Sequence, residues 1–308
     1  SVTNAQPGSL IIKKQWRDTG SGELISNADY GDVRFQLYRK ETTTAVTTAT
    51  VETTTTAVEQ TSNSYKIMAM GDSITDGYGI WGAWRKYFYP SFTSKGYQVE
   101  MCGSYGSADY NNEGGYSWDD RYEAISGYFI KRMFDGDGRD KGILEFIDGT
   151  SGNANGTEDL NAVSTRNPDI ILLMIGTNDV LHNKDIDNIQ ARYQALVDEI
   201  YRQNGSVKLF LLSPPRINSE KGEDENSKNQ ELMDSNMTKL LTAIQNICSL
   251  ELADGKYCKY IDVNSLFTGI DYASLLRDYT HPNAAGYKAI GEYIASQLDL
   301  ALKPQVET

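Results

Sequence analysis

Only two imidazoles, His182 and His281, occur in the 308 residues, and their neighbours differ. His281 follows a carboxylate by three positions, in Asp278-Tyr279-Thr280-His281-Pro282-Asn283. Asp278 can therefore reach one ring nitrogen from the same loop and leave the other for a partner. A serine hydroxyl is a poor nucleophile until a neighbouring base takes its proton. Ser73, within Gly71-Asp72-Ser73-Ile74-Thr75-Asp76-Gly77, is the serine best suited to that base. Ser73, His281 and Asp278 are thus candidates for nucleophile, base and orienting acid. His182, in Val180-Leu181-His182-Asn183, has no comparable acid before it and reads as a loop or surface histidine.

Two further blocks carry polar groups between apolar runs: Asn111-Asn112-Glu113-Gly114-Gly115-Tyr116-Ser117-Trp118 and Gly176-Thr177-Asn178-Asp179. Alone, each of these blocks is an ordinary turn, and a serine after Gly-Asp is a common cap or turn residue. Their meaning depends on the elements that hold them. From Tyr65 onward, short apolar runs alternate with helix-length amphipathic segments, the pattern of an α/β fold with a parallel sheet. Strands are predicted at Lys66–Met70, Gln98–Cys102, Asp169–Ile175, Val207–Leu212 and Tyr260–Val263. Helices are predicted over Trp81–Lys95, Ile186–Gln203, Lys228–Ser249 and Asn283–Leu298. The run Ile170–Ile175 is apolar throughout, as suits a central strand covered on both faces. Ser73 and the Gly-Thr-Asn-Asp block each follow a strand, where open parallel sheets gather their functional groups.

Composition narrows the alternatives. A net charge of −13 with 39% hydrophobic and 23% charged residues suits a globular chain and argues against a surface that tracks phosphates, so no nucleic-acid partner is expected. No run approaches the ~20 apolar residues of a membrane span. The opening Ser-Val-Thr-Asn lacks a leader pattern, so the chain reads as cytosolic or as already without its leader. Three cysteines are too few for a disulfide scaffold and lack zinc spacing. Cys102 reads as a small buried hydrophobe; Cys248 and Cys258 flank a helix-to-strand connection and could pair. The loop Phe134–Asp140 lacks the sixth-position glycine and twelfth-position acid of an EF-hand and reads as a solvated turn.

Four blocks in this order, Gly-Asp-Ser at 71–73, glycines near 113–118, Gly-Thr-Asn-Asp at 176–179 and Asp-x-x-His-Pro-Asn at 278–283, resemble those of the SGNH/GDSL hydrolases over roughly residues 64–300. The resemblance implies a flavodoxin-like three-layer sandwich with a five-stranded parallel sheet. It implies Ser73 as nucleophile and, through its N–H, one oxyanion donor; the Asn178 amide as another; and His281 with Asp278 completing the triad. A glycine N–H is the third implied donor, with Gly114 and Gly115 both possible and Gly115 preferred because Gly115-Tyr116-Ser117-Trp118 matches the family's Gly-aromatic stretch. No metal or organic cofactor is needed for that chemistry. The absence of a Gly-x-Ser-x-Gly elbow disfavours the larger α/β-hydrolase class.

Within the family, Gly-Asp-Ser-Ile-Thr followed by an aromatic segment is most similar to carbohydrate esterase family three, whose members deacetylate xylan. An acetylated polysaccharide or oligosaccharide is the expected substrate, with Tyr78, Trp81, Tyr116 and Trp118 as candidate sugar-stacking rings. Trp84 reads equally well as core packing. A lipase or lysophospholipase of the same family and a noncatalytic carbohydrate-binding surface module are the rival readings.

Residues 1–40 form a β-rich segment whose runs Leu10–Trp16 and Val33–Tyr38 resemble the opening strands of Cna-B-type stalk domains. Residues 41–63 read as a Thr-rich linker and 64–303 as the hydrolase domain. A secreted or cell-surface setting, with possible attachment to a larger modular protein, follows as the expectation.

Overall fold

The structure, a computed structural model, describes residues 2–6, 9–12, 63–107, 110–111, 117–133, 142–150, 161–269 and 271–303. The chain divides into two units, 1–58 and 59–308. In the first, Val2–Gln6 and Ser9–Ile12 pair antiparallel, with an irregularity between Asn4 and Gln6. The expected strand at Val33–Tyr38, the linker up to residue 62 and the 134–140 loop lie outside the described residues.

The second unit is built on a parallel sheet. Its strands are β1 (Ser64–Gly71), β2 (Gln98–Cys102), β3 (Glu123–Ala124), β4 (Ile170–Met174), β5 (Lys208–Leu212) and β6 (Cys258–Ile261). The order is β6-β5-β4-β1-β2, and β3 also pairs with β1. Five of the six coincide with the expected strands to within a few residues. The sixth is new: β2 pairs with β1 from Ser64 to Met68, then β3 pairs at Met70 and Gly71. Because β4 occupies the other side of β1, the edge beside β1 is split between β2 and β3.

Side-chain alternation along the strands divides the core into two layers. Met68, Met70, Ile171 and Leu173 face one, with α3 (Ile143–Asp148), α4 (Ala162–Arg166), α6 (Ile189–Gln203) and α7 (Gln230–Ala253). Ile67, Ala69, Ile170, Leu172 and Met174 face the other, with α2 (Arg85–Thr93) and α8 (Ala284–Leu302). Both faces of β4 are covered, which is why its sequence is apolar throughout. Each such aliphatic contributes roughly 1.5–3 kcal/mol on burial. Helices α2 and α8 meet closely at Gly291, where a Cβ would fall 2.4 Å from the Trp84 carbonyl. Trp84 itself is fully buried, as the packing reading required.

The Cys248 and Cys258 thiols, at the end of α7 and the start of β6, lie 3.1 Å apart without a bond between them. Cys102 is buried. Among the described residues, no helix is long and apolar enough to cross a membrane.

Candidate active site

Gly71 ends β1 where only a glycine fits: a Cβ there would lie 2.1 Å from the Met174 carbonyl on β4. The chain then turns into the short helix α1 (Ser73–Asp76), closed by Gly77 in the left-handed region at φ 100°. Asp72 caps it, its Oδ1 accepting the Ile74 N–H at 3.0 Å. Burial disfavours the Asp72 carboxylate and pushes its pKa up to about 6, although the Ile74 N–H opposes that shift. From behind, Arg85 donates to the Thr75 carbonyl at 3.0 Å and the Asp76 carbonyl at 3.2 Å and pairs with buried Asp120. The turn that presents Ser73 is therefore fixed by the core.

His281 arrives from the other end of the chain. Leu276 and Pro282 bridge antiparallel, the Arg277 N–H donates to the His281 carbonyl at 2.8 Å, and Asn283 caps α8 through the Ala285 and Gly286 N–H groups. This closed loop sets His281 Nε2 2.9 Å from Ser73 Oγ. His281 Nδ1 lies 3.0 Å from both Asp278 oxygens. Those contacts assign the proton to Nδ1 and leave Nε2 as acceptor for the hydroxyl. Burial alone would raise the Asp278 pKa. Hydrogen bonds from the His281 ring, the His281 N–H and the Thr280 N–H outweigh it and hold the carboxyl well below the usual carboxylate range. The series can pass a proton from Ser73 to His281 while Asp278 steadies the imidazolium.

Asn178 stands on α5 (Thr177–Leu181), directly after β4. Its Nδ2 donates to the Tyr128 carbonyl at 2.8 Å, which leaves one amide hydrogen for another acceptor. Asp179 accepts the Ile130 N–H at 3.1 Å and pairs with Arg192, so it anchors α5 rather than facing a substrate. Gly114, Gly115 and Tyr116 lie outside the described residues. His182 is exposed and packs near Phe129, away from the Ser73 series.

The aromatic expectations divide. Tyr78 and Trp81 are 57% and 58% exposed, in the loop after α1, and the Tyr78 ring centroid is 5.0 Å from that of His281. Trp118 corrects the sequence reading. It is only 2% exposed, with its ring 6.0 Å from Tyr89 and beneath the Arg85 guanidinium at 5.9 Å, so its faces are not presented to a sugar. Sequence reasoning also missed Arg277, whose Nη2 donates to Asp278 Oδ2 at 3.0 Å. Its position next to the acid was the available signal. Arg85 was hidden in the apolar face of a predicted helix.

An alcohol, an imidazole and a carboxylate linked in series beyond the carboxyl ends of a parallel sheet define a serine-hydrolase type of site. Residues 67–294 match the GDSL-like lipase/acylhydrolase family, and the chain belongs to it. A multidomain esterase of Ruminococcus flavefaciens is 35% identical over 246 residues, covering 77% of this chain and 29% of that protein. This chain thus spans under a third of that relative. Its fold is similar to the family 3 carbohydrate esterase of Clostridium thermocellum (TM-score 0.51, 21% identity, 77% of this chain and 96% of the other). It is also similar to the carbohydrate esterase family 3 structure from Talaromyces cellulolyticus (TM-score 0.53, 22% identity, 77% and 97%).

Proposed function

We propose that the protein is an extracellular serine esterase that removes acetyl groups from a plant cell-wall polysaccharide, with acetylated xylan as the substrate. The observation that carries the reading is the 2.9 Å contact between Ser73 Oγ and His281 Nε2, backed by Asp278. Ser73 attacks the acetyl carbonyl as His281 takes its proton. The developing oxyanion is met by the Ser73 N–H, the free Asn178 amide hydrogen and the N–H of Gly115. Each such donor is worth ~10²–10³ in rate. The intermediate then collapses, His281 gives its proton to the departing sugar oxygen, which leaves as a hydroxyl, and water, activated by the same imidazole, releases acetate from the acyl-enzyme.

The substrate class is supported by the names of the relatives and by Tyr78 and Trp81, two exposed aromatic rings close to the nucleophile on the chain. The multidomain relative supports attachment to a larger protein. Acetate release from acetylated xylan, together with turnover of p-nitrophenyl esters of increasing chain length, tests the reading. Fast release of acetate and a steep decline beyond short acyl chains are expected. Turnover restricted to long acyl chains would instead favour a lipase-type activity.

A further inference from the structure

Arg277 occupies a position that joins the triad acid to the exposed rim. Its Nη2 donates to Asp278 Oδ2 at 3.0 Å, on the opposite side of that carboxylate's oxygen pair from the backbone N–H groups that bind Oδ1. Its guanidinium carbon lies 5.3 Å from the centroid of Tyr78, the ring that itself stands 5.0 Å from His281. The rim loop is shaped to this arginine. At Gly79, in the left-handed region at φ 75°, a Cβ would run into the Arg277 guanidinium, so a larger residue there would displace the arginine from this place. One side chain therefore touches the acid, the aromatic ring and the backbone of the loop that carries Tyr78 and Trp81.

From this geometry we infer that Arg277 is a positioning residue with two separable effects: its charge, fixed on the Asp278 carboxylate, acts on the imidazolium that His281 becomes in the reaction, and its flat guanidinium holds Tyr78 where a sugar ring bearing the acetyl group must lie. Among the described residues, the groups around the His281 ring are Asp278 and Arg277 on its own segment, the Tyr78 phenol from the rim and Asp72 from the cap of α1. Tyr279, next to Asp278, is influenced by Glu223 and Asp224. Arg277 is the only permanent cation in that set. It opposes the imidazolium directly, and it shares the Asp278 carboxylate that would otherwise stabilise the imidazolium alone.

A lysine can restore the charge beside Asp278 but not the planar fork that lies on Tyr78. The two roles can therefore be separated by Arg277→Met and Arg277→Lys. The substrate half of the inference rests on the acetyl-sugar reading above, so two substrates are needed: p-nitrophenyl acetate, which has no sugar, and an acetylated xylo-oligosaccharide.

For Arg277→Met, the acid limb of kcat/KM for p-nitrophenyl acetate at low salt should move to higher pH by about half a unit. KM for the acetylated oligosaccharide should rise about two- to fivefold, the loss of an exposed cation–ring contact. Arg277→Lys should return the acid limb to its original position and leave the raised KM. Thermal melting identifies any loss of fold, which would lower kcat for both substrates without moving the limb. An unmoved acid limb in Arg277→Met overturns the charge role. Full recovery of oligosaccharide KM in Arg277→Lys overturns the positioning of Tyr78. If the parent protein turns over p-nitrophenyl acetate but not the oligosaccharide, the acetyl-sugar reading fails while the acid-limb test of Arg277 still stands.

Discussion

The two halves of the site are built differently. On the serine side, Asp72, Arg85, Asp120 and Asp179 are all buried, and the chain reaches Ser73 through a strand end that admits only glycine. On the histidine side, Asp278 is partly open to solvent and Arg277 is a third exposed. The nucleophile is held by the core, whereas the base is held by a loop closed on itself through the Arg277-to-His281 and Asn283-to-Leu275 backbone bonds. The contrast suggests a division of labour: the buried half fixes where the alcohol stands, and the exposed half sets how the base meets solvent and substrate.

The largest effect should come from the atoms where the halves meet. Ser73→Ala and His281→Ala should each lower ester turnover by roughly 10⁴-fold or more while melting close to the parent. His182→Ala should leave turnover unchanged. Equal loss in His182→Ala would undo the assignment of the base.

Stability should divide the other way. Arg85→Met leaves Asp120 buried without its cation, and should cost about 3–5 kcal/mol by denaturant unfolding. Arg277→Met, at a more exposed pair, should cost less than ~1 kcal/mol. Comparable losses would erase the contrast between a core-built and a loop-built half.

Asp72 sharpens it through pH. Its folded pKa of about 6 lies above the ordinary value of 3.8, so the folded state binds its proton more tightly than the unfolded chain does. That contribution to stability is full below about pH 4 and is lost as pH rises through about 6. Asparagine can keep the cap on Ile74 without the charge. Asp72→Asn should therefore gain roughly 1–3 kcal/mol relative to the parent between pH 4 and pH 7. A stability difference that stays flat across that range would show that Asp72 is not a strained buried acid.

The smallest effect separates two tryptophans that the sequence grouped together. Trp81→Ala should raise KM for an acetylated oligosaccharide by about threefold, with a smaller loss of stability than Arg85→Met, since the Trp81 side chain also hydrogen-bonds buried Asp120. Trp118→Ala should act on stability instead, through the space left beneath Arg85.

Much of this was legible in the sequence because the signals are local. The apolar run at 170–175 identified the central strand, and the three-residue spacing of Asp278 and His281 already placed acid and base on one loop. What escaped notice depends on contacts distant along the chain. Arg85 meets Asp120 across 35 positions, so neither residue's surroundings announce a buried ion pair. Trp118 stands beside a glycine-rich block and resembled a rim residue, but just ahead of β3 its ring packs inward against Tyr89 and Arg85. That two-residue strand is itself too short to show an alternating pattern. The role of Arg277 needs the Gly79 loop folded over it, a contact no spacing rule contains.

Ester cleavage at this site requires Ser73 to be an activated alcohol. Incubation with a fluorophosphonate, followed by peptide mass spectrometry, reads this directly. A single adduct on Ser73, absent in His281→Ala, is expected. An unmodified protein that nonetheless turns over acetyl esters, or an adduct on a different serine, would contradict it.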